Sequence, residues 1–316
     1  MLRESSHPAR TTSARKEARG ADRVVRFRVA DYATLAKPRV MSLVVFTAVV
    51  GMVLSPGTID PLTAVIAVTC IAVGAGASGA INMWYDRDID HVMRRTQDRP
   101  IPAGRMEAGR ALAFGIVLAV GSVTAMALMV NAVASALLAA TILYYVLLYT
   151  MWLKRRTTQN IVIGGAAGAL PPVIGWAAAS GEIGLGAVVL FAIIFLWTPP
   201  HSWALALYRR EDYARAGVPM MPVVAGAKQT KIRIVIYSVL LVSVTFLPLG
   251  LGMAGALYAA AAGVLGAGFL YRAFRVWRDP SEKALTTARP LFFYSITYLF
   301  LIFVFLLAER LIPAMI

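Results

Sequence analysis

The sequence predicts an all-α polytopic membrane protein of nine transmembrane helices, with its N-terminus inside and its C-terminus outside. Three observations predict it. Of 316 residues, 59% are hydrophobic and only 15% charged, against about 25% charged in a soluble domain. Apolar runs of about 20 residues, enough helix to cross a bilayer, recur along the chain. The basic residues are also sorted: with alternating spans, 30 of the 31 Lys and Arg fall on one side and only Arg310 on the other. Cytoplasmic loops accumulate such charge, so the formal charge of +15 reads as membrane topology, with no nucleic-acid partner.

Residues 1–36 are rich in Arg, Ser, Thr and Ala, with no apolar core of a secretory signal. An organellar transit peptide fits that composition, but Glu4, Glu17, Asp22 and Asp31 are more acid than such peptides tolerate. The expectation is a disordered cytoplasmic tail ahead of one membrane domain over 37–316. Spans are expected near 40–57, 61–84, 111–130, 132–153, 160–179, 184–207, 233–252, 254–272 and 291–312. "SPGTIDP", "ASGEIG" and Asn131 mark tight connections. Pro171-Pro172 and Pro199-Pro200 should break or kink spans five and six. The run "GAGASGA" suits close helix packing. Cys70 is the only cysteine, so a disulfide within the chain is excluded. No Asp, Glu, Lys or Arg falls in the middle of a span, which counts against an ion-coupled transporter. Chemistry is expected at the cytoplasmic mouth.

There, "NMWYDRDIDHVMRRTQDRP" gathers Asp86, Asp88, Asp90 and Asp98 with Arg87, Arg94, Arg95 and Arg99. At 100° per residue, Asn82, Asp86 and Asp90 line one helical face and Asp88 points nearly opposite. One amide and two carboxylates in a column suit Mg²⁺, which often binds through a few carboxylates plus substrate phosphates. Any isolated pair of such acids is more simply a solvated helix end. Here arginines follow at once, and guanidinium groups fork onto phosphate oxygens. Together they point to a diphosphate carrying a lipid tail.

The pattern Asn82-x₃-Asp86-x₂-Ile89-Asp90-x₂-Met93-x-Arg95-Thr96-x₂-Arg99-x₄-Gly104 resembles the signature of the intramembrane aromatic prenyltransferases, the superfamily named for 4-hydroxybenzoate polyprenyltransferase. That family has nine helices around a central cavity open to the cytoplasmic side, and a second acidic motif facing the first. "TPPHSWALALYRREDYARAGVPMMPVV" stands in its place, with adjacent Glu211 and Asp212 where the family spaces its acids about a turn apart. Adjacent helical residues do not share a face, so Asp212 is the expected contact. With "KPRV" and "YTMWLKRRTTQNIVIGGAAGALPPVIGW", this block is most similar to the protohaem IX farnesyltransferase branch. The resemblance implies Mg²⁺ held by Asn82, Asp86, Asp90 and Asp212, the last three being catalytic. It implies diphosphate binding by Lys37, Arg39, Arg95, Arg99, Lys154 and Arg215. Donor and acceptor would be farnesyl diphosphate and haem B, with haem O as product. His201, also readable as a packed helix-end histidine, would contact haem, although Ser202 replaces the aromatic usual beside it. Further implied partners are the lipid bilayer and a downstream haem A synthase. A quinone-precursor acceptor, a transporter or a non-catalytic haem-assembly protein are the competing readings. The bacterial inner membrane is expected ahead of the mitochondrial one.

Overall fold

A computed structural model describes residues 28–315, excluding the side chains of Arg39 and residues 313–315. The tail through residue 27, including His7, therefore lies outside the described residues. Within the last residues of the expected tail, Val29–Leu35 forms helix α1. Leu35 is fully buried there, and Asp31 pairs with Arg105 at 3.0 Å, which gives this segment a docking site.

The remaining elements follow in chain order: α2 Pro38–Leu54, α3 Pro61–Tyr85, α4 Arg87–Val92, α5 Ala108–Met129 and α6 Ala132–Leu143. A π-helical stretch, Tyr144–Trp152, and a 3₁₀ turn, Leu153–Arg155, carry α6 onward. Then come α7 Asn160–Ala169, α8 Pro171–Ser180, α9 Leu185–Tyr208, α10 Arg210–Arg215, α11 Met221–Val224, α12 Gly226–Thr245, α13 Leu247–Gly250, α14 Ala256–Arg278 and α15 Leu285–Met315. Among the described residues, eight helical units are long and apolar enough to cross a membrane, and a ninth forms if α1 and α2, bent by 57°, are one span. The chain is thus a multi-pass membrane protein.

The spans close into a ring. Contacts run from α2 to α3, α3 to α5, α5 to α6, α6 to α8, α7 to α9, α9 to α12, α12 to α14, α14 to α15 and α15 back to α2. Lipid supplies little hydrophobic drive between helices, so small residues set the closest crossings. A Cβ on Gly51 would lie 2.1 Å from the Pro172 carbonyl oxygen, and one on Gly175 2.0 Å from that of Ala48. Helices α2 and α8 therefore touch backbone to backbone. Gly74 and Gly79 of the small-residue run likewise meet neighbours closely, at Leu138 and the Leu35 carbonyl. Asn131 makes its tight connection with both ends of its amide. Its Oδ1 caps α6 at Ala134 N, and its Nδ2 donates to the Ala177 carbonyl at 3.0 Å.

The two proline pairs behave differently. Pro171-Pro172 ends α7 and opens α8, where a proline at the first helical positions forfeits no bond. Pro199-Pro200 sits inside an uninterrupted α9. The expected seventh span starts earlier than its apolar run, because Lys231 is accommodated inside α12. Its ammonium donates to the carbonyls of Asp279 and Ser281, at 2.6 and 2.7 Å.

Candidate active site

The first acidic column survives a change of helix. α3 ends at Tyr85 and α4 starts at Arg87, yet Asp86 N bonds Asn82 O and Asp90 N bonds Asp86 O, at 2.9 and 2.8 Å. The four-residue repeat thus carries through the junction. Asn82, Asp86 and Asp90 are all buried, whereas Asp88 turns outward and receives both arms of Arg155 at 2.7 Å. That fork holds the Asp88 carboxyl below the usual carboxylate range.

Each buried member is gripped from elsewhere in the chain. Lys37 Nζ donates to Asn82 Oδ1 at 2.9 Å, and Asn82 Nδ2 donates to Asp86 Oδ2 at 2.7 Å and to Thr150 Oγ1 at 3.3 Å. Lys154 also bonds Asp86 Oδ2, and Arg155 stands 3.6 Å from Asp86 Oδ1. Arg99 reaches back to Asp90 at 2.6 Å. Arg95 lies over the Tyr213 ring and donates to its hydroxyl at 3.3 Å.

These groups end a cavity of about 380 Å³. Lys37, Asn82, Asp90, Arg95, Arg99, Lys154 and Tyr213 are among its polar lining, and Val44, Ile71, Leu138, Ile142 and Ile174 among its apolar walls. Asp86 is not in the lining: it stands fully buried behind Asn82 and Lys154. Gly74, Ala75, Ser78 and Gly79 also line the chamber, so the small-residue run makes room for a ligand as well as for neighbouring helices.

The second motif is built differently. Asp212 is buried and bonded by Arg215, three residues on, with Arg209 at 4.0 Å. Neither Asp212 nor Arg215 is in the cavity lining; Tyr213 between them is. Glu211 points away and pairs with Lys283 at 2.8 Å, which holds its carboxyl below the usual range. Glu211 is thereby separated from Asp212, as expected of adjacent helical residues.

A second cavity of about 340 Å³ adjoins the first and shares Val40, Val44, Tyr145, Tyr149 and Gly168 with it. Trp197, Thr198 and Ser202 line its far side. His201 lines neither cavity. Its ring is stacked between Trp197 and Phe292, at 4.2 and 4.5 Å, and its Nδ1 meets Ser295 Oγ at 2.7 Å. His201 thus packs behind Trp197, a wall residue of the second cavity. His91 is exposed on α4. The side chain of Arg39 lies outside the described residues.

Tyr145, Tyr149, Thr150 and Tyr213 were not singled out by the sequence. The signal was there in "YYVLLYT", an aromatic cluster that α-helical counting places on several faces. Tyr145 and Tyr149, four residues apart, share a face with ring centroids 5.3 Å apart, in a stretch of π-helical winding, which is frequent at functional sites. Gly164 admits the Tyr149 ring, since a Cβ there would lie 2.1 Å from it.

Among the described residues, no three His, Cys, Asp or Glu side chains converge on a point fit for a metal. The donor set nevertheless suits a hard cation that arrives with phosphate oxygens. Asp86 Oδ1 is buried and lacks a hydrogen-bond partner, and Asn82 and Asp90 face the chamber.

Fold and site together define a multi-pass membrane protein whose chamber is cationic at one end and largely apolar elsewhere. The UbiA prenyltransferase family model matches residues 44–297. The chain is 60% identical over 283 residues to a protoheme IX farnesyltransferase of Parvibaculum lavamentivorans, covering 89% of each chain. It is 58% identical over 286 residues to that of Azorhizobium caulinodans, covering 90% of this chain and 93% of the relative. Among solved structures, digeranylgeranylglyceryl phosphate synthase superposes with a TM-score of 0.73 at 19% identity, over 88% of this chain and 98% of that one. A UbiA homolog from Archaeoglobus fulgidus bound to DMAPP and Mg²⁺ gives 0.66 at 16%, over 89% and 99%. These structural likenesses establish the fold. The chain belongs to the UbiA prenyltransferase family. It is a prenyltransferase of the protohaem IX farnesyltransferase group.

Proposed function

We propose that this chain transfers the farnesyl group of farnesyl diphosphate, with addition of water, to a vinyl group of haem B, giving haem O. The observation that carries this reading is the polarity of the chamber. Four cationic side chains, Lys37, Arg95, Arg99 and Lys154, share one end with Asn82 and Asp90, and the other walls are largely apolar. An allylic diphosphate divides in the same way. The relatives' name, protoheme IX farnesyltransferase, supports donor and acceptor.

The cations would bind and orient the diphosphate, stabilising the charge that grows as its C–O bond breaks. Arg215 and Arg39 would join them as further partners of the diphosphate. Asn82, Asp86, Asp90 and Asp212 would hold Mg²⁺, which supplies Lewis-acid neutralisation of the leaving diphosphate when bound; two solved homologs hold prenyl diphosphates with Mg²⁺. The apolar walls would keep water from the allylic cation until the vinyl group attacks. That attack forms the new C–C bond, and water then adds to the cation beside the porphyrin and loses a proton. The acceptor would approach through the adjoining cavity, with Trp197, backed by His201, as its wall. The domain would follow a separate tail, with the charged mouth on the cytoplasmic side of a bacterial inner membrane and haem A synthase downstream.

The test is a mass-spectrometric assay of purified protein with haem B, farnesyl diphosphate and Mg²⁺. A haem heavier by one farnesyl and one water is expected, absent with EDTA and with Asp86→Ala. No such product from folded protein would sink the haem acceptor, and 4-hydroxybenzoate would then be offered with the same donor.

A further inference from the structure

The cationic end of the chamber is braced by residues that never touch it. Lys37 has φ 51° and ψ 55°, a left-handed conformation that a Cβ disfavours and that the following Pro38 disfavours further. Strain of this kind persists only where surrounding structure enforces it. Here the strained elbow between α1 and α2 delivers the Lys37 ammonium to Asn82.

Two independent contacts enforce it. First, α1 is seated on α3 by its apolar side. Leu35 packs with Ala80, Met83, Met106 and Ala111, and Tyr32 sets its ring edge-on to Phe114 at 5.0 Å. The elbow can come this near because Gly76 and Gly79 lack side chains. A Cβ on Gly79 would stand 3.1 Å from the Leu35 carbonyl, and one on Gly76 3.2 Å from the Ala36 Cβ. Second, α1 is tied to the segment that follows the first acidic motif. Buried Asp31 accepts from Arg105 Nε at 3.0 Å, and the same guanidinium donates to the Asp98 carbonyl at 2.8 Å. Asp98 immediately precedes Arg99, which holds Asp90. One guanidinium thus joins the helix that ends at Lys37 to the turn that carries Arg99.

We propose that Asp31 and Arg105 are positioning residues of the prenyl diphosphate site, a cross-brace that sets Lys37 and Arg99 at their distance across the cavity mouth. This rests on the proposed diphosphate role of those two cations. A carboxylate alone on α1 would do nothing of the kind. The brace works because one end is buried and the other grips both the carboxylate and a backbone carbonyl. Loss of either end frees the strained elbow to relax and withdraws Lys37 from Asn82.

The test is equilibrium binding of farnesyl thiodiphosphate, which cannot be turned over, with Mg²⁺ to the full chain in nanodiscs. It needs no acceptor, so it is independent of the haem assignment. Asp31→Asn should weaken binding about tenfold, as should Lys37→Met, the loss expected of one charge-assisted contact. Added to Lys37→Met, Asp31→Asn should cost only about threefold further, the part that acts through Arg99, because residues acting through one another are not additive. Arg105→Gln, made at the solvent-facing end, should reproduce Asp31→Asn if that variant proves unstable. Unchanged binding in both brace variants, or effects that multiply fully with Lys37→Met, would overturn the proposal. Failure of the wild type itself to bind would instead remove the prenyl diphosphate reading on which it rests.

Discussion

The two acidic motifs face the same task with opposite constructions. The first is held by distant residues: Asp86 by Lys154, 68 positions away, and Asn82 by Lys37, 45 positions away. The second is held locally, Asp212 by Arg215 and Arg209 on its own turn. One is therefore fixed when the ring of helices closes, and the other within the turn that carries it. A site that binds and releases a large donor benefits from this division, with one wall set by the tertiary fold and the other borne on a six-residue helix.

The largest effect should come from Asp86→Ala. Among the described residues it removes the one carboxylate that Lys154 pairs with and leaves a half-buried ammonium at the chamber wall without its counter-charge. The expected stability loss is about 3–5 kcal/mol, read as a lower melting temperature. In single-turnover assays the fall should be about 10²–10³-fold, the scale of losing one preorganised electrostatic contact. Asp212→Ala should lower turnover about tenfold with little change in melting, since it breaks a pair confined to one turn. Equal losses of stability in the two variants would break the comparison. Gly164→Ala comes next. The added methyl displaces the Tyr149 ring from its seat and disturbs the π-helical stretch that leads to Lys154, so kcat/KM should fall severalfold although no charge is altered. Lys283→Ala should do least. Its pair with Glu211 is exposed at both ends, and such pairs contribute about 0–1 kcal/mol. A change in turnover beyond about twofold in Lys283→Ala would show that Glu211 does more than fasten α10 to the loop before α15.

What the sequence made legible follows the same division. The Asn82-Asp86-Asp90 column could be read from a four-residue repeat, and so could the opposite heading of Asp88. The small-residue run was legible as packing, but its place in the cavity lining was not. Separations of tens of residues left no local trace: nothing near Thr150 or Tyr213 announces Asn82 or Arg95. Proline gave a half-answer. Pro171-Pro172 ends a helix, while Pro199-Pro200 stays within one. His201 was legible as unusual for its apolar surroundings, but its stacking on Phe292 and its bond to Ser295 depend on a helix that arrives some 90 residues later.

The π-helical stretch Tyr144–Trp152 makes chain length itself a functional variable. Its N–H groups reach back five residues where an α-helix reaches four, so the stretch shifts every side chain that follows relative to ordinary winding. A one-residue deletion in the ordinary α-helical turns before it would turn Lys154 by about 100°, away from Asp86, with every amino acid named at the site still present, whereas a deletion within the stretch is partly taken up by a return to α winding. A deletion of the same size in the turn before Pro61 has no such side chain downstream to misdirect until α3 has run its length. Comparison of related chains by composition alone would miss that loss, whereas a count of residues between Asn131 and Lys154 would detect it.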